Sequence, residues 1–498
     1  MSDLERRTLL RAGAATLLAA PFAGFVAPAA LADPPGLGRG SLRPTRDLRD
    51  GAPRLALPPG FLYRSFQPTG DPLGDHGSVP GMPSGMGAFR SRRGGTNVAL
   101  VRGHELGGTG SPLTSVGPVY DPAAPGGTTT VVVTGTGDVR ESWVSLAGTQ
   151  TNGSGGRTPW GSWVTCERTV DGFDVLDDDT SGQSPADAYT VNAALTKRHG
   201  FLFEVPADAT SDARPVSAAG RFRHEAVAYA PEEGAFYLTE DGLGFPSGFY
   251  RYEPPSDPRR SRRLEDGGRL WMLALSGRHN RHLERQLRVG TTYEVAWVRI
   301  EDAAPDFPMF GGRPTTTDEQ AAQHVARQGW AERGAFFGRL AGATYQDGRV
   351  YFTAQQGGGR AEEWEPGDAG VPGGFGNGTG QIWAYDVRRK RLELVHQAPA
   401  GGRGRLPSNL ATSARGQLVV CEDAGNGGWL QGLTADGEMF EVAREVMPAA
   451  QGDSTTDVGG GAFAGPTFSP DGRTLFVNIR AVQGMSVAIW GPWERLGV

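Results

Sequence analysis

A chain of 498 residues can bury one large core or two to three ordinary ones, so length alone excludes no globular fold. Its 76 Gly and 36 Pro are many, yet 11 Trp, 22 Phe and 11 Tyr supply far more aromatic surface than a disordered chain carries, which together describe many short strands joined by many turns. A formal net charge of -6, with the 49 Lys and Arg spread along the chain, argues against the concentrated basic face of a nucleic-acid binder.

Taken in order, residues 1–32 read as an address. Arg6-Arg7 precedes an Ala/Leu/Phe-rich run that ends in Ala30-Leu31-Ala32, the pattern of a twin-arginine signal with a small-residue cleavage site. Pro21, Gly24 and Pro28 break the apolar run, so no stable membrane anchor is expected. The expected partner is the twin-arginine export machinery, which carries folded and often cofactor-loaded proteins, and the expected location is periplasmic or extracellular. Residues 33–84 form a Pro/Gly-rich arm expected to wrap the domain or to pair with a terminal strand.

From residue 85 to 498 one local pattern returns: a Gly-containing turn, four or five apolar or β-branched residues, then a polar or acidic cluster. It ends in His104-Glu105, Cys166-Glu167, Glu240-Asp241, Thr353, Cys421-Glu422-Asp423 and Asn478. The spacing is too long for a short solenoid repeat and suits propeller blades with insertions, so the expected fold is an all-β, six-bladed propeller. These strands are expected to line its channel and bring their ends to one mouth. A β-sandwich is the alternative.

The stretch Thr158–Glu167, T-P-W-G-S-W-V-T-C-E, alternates as a strand, with Trp163 and Thr165 on one face and Val164 and Cys166 on the other. Its Cys-Glu end offers a soft and a hard metal ligand side by side; equally, Cys166 fits a small core residue. Cys166 and Cys421 are the two cysteines, and either a disulfide or separate roles would account for them. Two insertions stand out. Thr317 to Arg327 predicts a helix capped by Thr316 or Thr317, with His324 on its surface, and Arg259 to Arg263 predicts a solvated basic loop. The glycine-rich run 357–380 lacks the Lys-Ser/Thr of a P-loop, so no nucleotide site is expected there.

These segments resemble the PhoX-type alkaline phosphatase family: R-G-H-E-L at 102–106, the decapeptide at 158–167, F-R-H-E-A-V at 222–227, Y-L-T-E-D at 237–241, G-Q-I-W-A-Y-D at 380–386, C-E-D at 421–423 and A-G-P-T-F-S-P-D-G-R-T-L-F-V-N-I at 464–479. The resemblance implies a six-bladed propeller whose channel holds ferric iron and calcium and whose substrates are small phosphate monoesters. By matching position it implies Cys166, Glu167, Glu225 and Glu240 as metal ligands, with Glu105 and Glu422 beside them, and Arg339 holding a phosphate oxygen. The chain also departs from the family pattern, carrying Gly103, Ala341, Ser408 and Ala462 where polar or acidic residues are usual. The expectation is therefore an exported, metal-dependent phosphatase-like protein with reduced or altered metal loading. The alternatives are a non-catalytic calcium-binding propeller and a calcium-dependent hydrolase such as a lactonase.

Overall fold

The computed structural model describes residues 41–498 apart from 75–76, 93, 115–116, 177–191, 366–367, 369, 400–401, 424–427, 435–436 and 448–460. The expected signal peptide, 1–32, lies outside the described residues. The architecture is all-β and propeller-like, with sheets set around a central cavity.

Three strands come first: β1 (Arg43–Arg46), β2 (Pro53–Leu57) and β3 (Leu62–Phe66). β4 (Pro83–Arg90), β5 (Val98–His104), β6 (Gly126–Val133) and β7 (Val139–Thr149) then form one four-stranded sheet. β8 (Asn152–Arg157) and β9 (Ser162–Glu167) are followed by the short β10 (Val175–Leu176), then by β11 (Leu202–Pro206) and β12 (Pro215–Val216), which complete the sheet begun by β8 and β9. β13 (His224–Ala230), β14 (Ala235–Glu240), β15 (Phe249–Glu253), β16 (Arg269–Leu275) and β17 (Thr292–Ile300) are next. Three two-residue strands, β18 (Met309–Phe310), β19 (Arg313–Pro314) and β20 (Thr316–Thr317), precede a helix, Asp318–Ala331. β21 (Leu340–Gln346), β22 (Arg349–Ala354), β23 (Gln381–Asp386) and β24 (Arg391–Gln397) join the five strands β13 to β17 through the β17/β24 pairing, making one nine-stranded sheet. β25 (Pro407–Thr412), β26 (Leu418–Glu422), β27 (Trp429–Leu433) and β28 (Met439–Glu445) are extended by β2 and β1, and β29 (Ala462–Phe468), β30 (Thr474–Arg480) and β31 (Met485–Trp490) are completed by β3. The beginning and end of the described chain are thus stitched together by antiparallel β3/β31 pairing.

The strands that surround the cavity are not those of the recurring sequence pattern. β4 packs against β8, β8 against β13, β13 against β21, β21 against β25, β25 against β29, and β29 back against β4. The patterned strands β5, β9, β14, β22, β26 and β30 each pair with one of these from outside. The reason is packing space. Around the axis the walls are small and glycine-bearing, as in S-G-M-G-A of β4, G-S-G-G of β8 and L-A-G-A of β21, whereas the bulkier patterned strands fill the layer between sheets. Gly156 illustrates the constraint, since a Cβ there would stand 2.0 Å from the Val227 carbonyl oxygen of the neighbouring inner strand.

Each inner strand carries a bulge near its start: Pro83/Met86, Asn152/Gly155, His224/Val227, Leu340/Ala343, Pro407/Leu410 and Ala464/Thr467. A bulge bends the strand and re-aims the extra residues, and here it does so at the same end of every inner strand. The residue just before four of them, Met82, Thr151, Arg339 and Leu406, sits in the left-handed region, at φ 49, 44, 49 and 47°. The expected helix is present: Thr317 caps it by accepting from the Gln320 amide, and the Gln320 side chain answers in a capping box. His324 is partly exposed and bonds Asp302. The basic stretch is not a plain loop: Pro258–Ser261 forms one helical turn capped by Asp257, because Pro258 suits the first helical position, and Arg259 pairs with Asp257 at the surface.

Candidate functional site

Because β5, β9, β14 and β26 run antiparallel to the inner strands, their C-terminal ends meet four of the six bulges. The last paired residues are His104, Glu167, Glu240 and Glu422, opposite Pro83, Asn152, His224 and Pro407. One residue further on stand Glu105, Arg168, Asp241 and Asp423, and here the charges converge.

Arg168 is the hub, with its side chain only 9% exposed. One terminal nitrogen of its guanidinium contacts Glu105, the other lies 3.1 Å from Asp241 Oδ2, and its Nε lies 3.4 Å from Glu225 Oε2. Arg339 Nε donates to Asp241 Oδ1 at 2.9 Å. Arg480 bridges Glu105 Oε2 at 2.9 Å and Asp423 Oδ2 at 3.5 Å. Arg223, two residues before Glu225, pairs with Asp318 at the start of the helix. Burial works against the charge on Asp241, but Arg339 and Arg168 outweigh it and hold the carboxyl below the usual carboxylate range. For Glu225 burial wins over the pull of Arg168, and the carboxyl is pushed up.

The structure brings Glu105 and Glu225 together at this mouth, with Arg339 beside them. It does not bring the other expected ligands there. Glu167 is fully buried and both its oxygens are engaged: Oε1 accepts from the Gln150 amide at 2.9 Å and from His199 Nδ1 at 2.6 Å, and Oε2 from the Gly200 and Phe201 amides at 2.9 and 3.1 Å. Burial opposes a charged His199 ring, but Glu167 and Asp121 outweigh it and push its pKa up to about 9. Glu240 accepts from the Gly248 amide and the Tyr250 hydroxyl, at 2.7 and 2.8 Å, and burial pushes its carboxyl up to about 8. Glu422 accepts from the Gly404 amide at 3.1 Å and Gln431 Nε2 at 3.2 Å. Cys166 belongs to an apolar cluster with Val164, Leu202 and Phe222, and burial, with Glu225 nearby, raises its thiol well above the ordinary value.

Cys166 and Cys421 are both unpaired and buried. Thiol counting on the native protein should find neither accessible, and counting after denaturation should find two; finding none after denaturation would establish a disulfide instead.

A polynuclear iron–calcium centre needs several carboxylates with charge left over for cations. Here the carboxylates at the mouth are paired with guanidinium groups, and among the described residues no three His, Cys, Asp or Glu side chains are arranged to hold a metal ion. The described residues therefore do not fit such a centre. Ala341 and Ser408 lie in their bulges where Glu225 lies in its own, so the carboxylate at that register position is present on β13 and absent from β21 and β25. Sequence alone placed Asp241 and Asp423 in the polar strand ends without a role and did not single out Arg168 or Arg480, although these two follow an expected ligand or a patterned strand end by one or two residues.

No curated protein matches the sequence. Among solved structures, Pseudomonas fluorescens PhoX in complex with vanadate, there described as a transition state analogue, superposes with a TM-score of 0.62 at 17% identity, covering 91% of this chain and 97% of that one. That likeness is one of fold. A gluconolactonase from Xanthomonas campestris (TM-score 0.33, 12% identity, 86% of this chain and 95% of that one) and an inactive virginiamycin B lyase from Staphylococcus aureus (0.32, 11%, 86% and 99%) are too distant to bear on function. The family model for alkaline phosphatase PhoX matches residues 134–482, which span β9, β13, β14, β21, β25, β26, β30 and every arginine of the mouth. The chain belongs to the alkaline phosphatase PhoX family.

Proposed function

We propose that this protein is an exported, PhoX-type phosphatase-like protein that takes up small phosphate monoesters at the arginine-lined mouth, with hydrolysis slower than the family pattern implies. Family membership supports the reaction class. The observation that carries the site is the convergence of Arg168, Arg339 and Arg480 on one patch of partly buried carboxylates. Guanidinium forks match phosphate oxygens, and a phosphate dianion would exchange with the carboxylates that now hold them. Arg339 is the first choice for direct phosphate contact: it is matched by position in the family resemblance, and its left-handed backbone is the kind of strain that persists where a side chain must be aimed. We read the nine-stranded sheet as two blades joined edge to edge, which makes the propeller six-bladed and gives each blade one bulge at the mouth. Export by the twin-arginine route rests on the 1–32 segment.

The reading is tested with p-nitrophenyl phosphate and protein isolated from its own host, with ferric iron and calcium supplied or chelated. Phosphate release is expected, and Arg339→Gln should lower kcat/KM by ten- to a hundredfold, the loss of one charge-assisted contact. Absence of both hydrolysis and phosphate-ester binding would leave the second reading, a propeller that does no chemistry. One observation favours that second reading: the guanidinium groups neutralise the carboxylates a metal would need.

A further inference from the structure

The chain as a whole carries more acid than base, 55 Asp and Glu against 49 Lys and Arg, yet two stretches reverse that balance. Residues 276–294 and 387–394 together hold eight Arg and Lys against three Glu. The fold lays them side by side. β17 and β24 pair edge to edge, Tyr293 with Leu392 and Glu294 with Arg391, and the turns that lead into them are tied together: the Val295 amide donates to the Lys390 carbonyl at 2.9 Å and the Gly290 amide to the Leu394 carbonyl at 2.8 Å. Four cations are exposed along this seam: Arg278, whose guanidinium sits over the Tyr293 ring 5.7 Å from its centroid, Arg288, Lys390 and Arg391. Among the described residues none of the four pairs with a carboxylate, while Arg388 and Arg389 in the same turn are held by Glu232 and Asp386. Of the three acids, Glu284 is buried against His282 and Glu393 holds Arg349 at 3.3 Å, which leaves Glu294.

Four like charges on adjacent strands and turns repel one another, and an anionic surface laid against them turns that repulsion into attraction. The uncharged side chain among them selects the surface. Val289, next to Arg288, is 45% exposed, whereas Tyr293 beneath Arg278 is buried. An exposed aliphatic tip flanked by long cations suits the boundary of a lipid headgroup layer, where the alkyl group enters and the cations meet phosphates; single-stranded nucleic acid would need open aromatic faces to stack on. The seam joins the two middle strands of the nine-stranded sheet, whose ends, β13 and β21, wall the cavity, so the edge lies away from the mouth. Among the described residues no helix is long and apolar enough to cross a membrane, so attachment here would be peripheral. We infer that this edge docks the protein reversibly on an anionic phospholipid surface, with Arg278, Arg288, Lys390 and Arg391 contacting headgroup phosphates and Val289 entering the interface. No residue of the mouth takes part, so the docking stands apart from the phosphatase reading.

Co-sedimentation of protein isolated from its own host tests this, with vesicles of phosphatidylcholine alone and of phosphatidylcholine with one third phosphatidylglycerol. Wild type should bind the second and not the first, and sodium chloride at about 0.5 M should remove most of that binding by screening. Lys390→Gln combined with Arg391→Gln should weaken it tenfold or more, as should Arg278→Gln combined with Arg288→Gln, since each basic side chain near such a surface contributes roughly fivefold. Val289→Ser should weaken it severalfold. The same charge loss elsewhere on the surface, Arg260→Gln combined with Arg263→Gln, should leave binding unchanged. The inference is overturned if neither vesicle binds, if both bind alike, or if the Arg260 and Arg263 variant loses as much binding as the Lys390 and Arg391 variant. Tighter binding of a short double-stranded DNA than of the anionic vesicles, lost in the Lys390 and Arg391 variant, would overturn it in favour of nucleic acid.

Discussion

Replacing Arg168 by methionine should destabilise the protein and, in the same step, give it an affinity for calcium. The guanidinium faces Glu105 from one neighbouring sheet and Glu225 and Asp241 from another, with little solvent around it. Removing one member of a buried charge cluster leaves Glu225 without a cation and Asp241 and Glu105 with one each, Arg339 and Arg480, a loss of roughly 3–5 kcal/mol at most. Methionine keeps most of the volume and none of the charge, so packing should contribute little to that loss. Calcium bound among Glu105, Glu225 and Asp241 would then stabilise the folded chain in proportion to the logarithm of its concentration. Thermal denaturation with and without millimolar calcium reads both effects. We expect a melting temperature several degrees below wild type, restored in part by calcium in Arg168→Met and unaffected by calcium in wild type. The deficit should also shrink toward pH 4–5, because carboxylates freed from Arg168 are driven to bind protons in the fold, and protonation removes their repulsion. A variant as stable as wild type at neutral pH, or one indifferent to calcium, would show that Arg168 is a peripheral ion pair.

Stability should also fall as the pH rises from about 6.5 to 9.5. Two buried groups act in the same direction. His199 lies between Glu167 and Asp121 with a pKa pushed up to about 9, so it binds a proton in the fold that it would have released in the unfolded chain above its ordinary value near 6.5. Its contribution is fully present below that ordinary value and is lost as pH climbs through about 9. Glu240 is pushed up to about 8 by burial, so the fold holds it protonated while the unfolded chain ionises near 4.5. Between those values each pH unit favours the unfolded state further, and above about 8 the loss is complete. The sum is on the order of a few kcal/mol. Glu240→Gln keeps an acceptor for the Gly248 amide and Tyr250 hydroxyl and cannot ionise, so it should flatten the profile below pH 8. His199→Gln should remove the part of the decline near pH 9 and lower stability at pH 6, since it leaves Glu167 and Asp121 without their cation. A melting temperature constant from pH 6.5 to 9.5 in wild type would contradict the assignment of both charges.

Local chemistry along the chain was enough for the all-β class, the helix at Asp318–Ala331 with its Thr317 cap, the two faces of β9 and the family. Those features depend on alternation, capping and short motifs, which are properties of neighbouring residues. The convergence of strand ends on one mouth was legible too, because each patterned strand ends in polar residues. Which residue of each end faces the mouth was not. Successive side chains on a strand point to opposite faces, so the choice between Glu167 and Arg168, between Glu240 and Asp241, and between Glu422 and Asp423 turns on one residue of register. Register is fixed by the partner strand. The pairing of His104 with Pro83, Glu167 with Asn152, Glu240 with His224 and Glu422 with Pro407 puts Glu105, Arg168, Asp241 and Asp423 one step further, toward the mouth, and turns Glu167, Glu240 and Glu422 onto backbone amides of their own sheets. The inner strands escaped notice for a related reason: the axis admits small residues and bulges, which weaken the very alternation by which a strand is read from sequence. The fate of the charges was decided in three dimensions as well, since a guanidinium from β9 reaches carboxylates that stand 63 residues before it and 57 and 73 residues after it, at 105, 225 and 241, and only folding brings them within bonding distance.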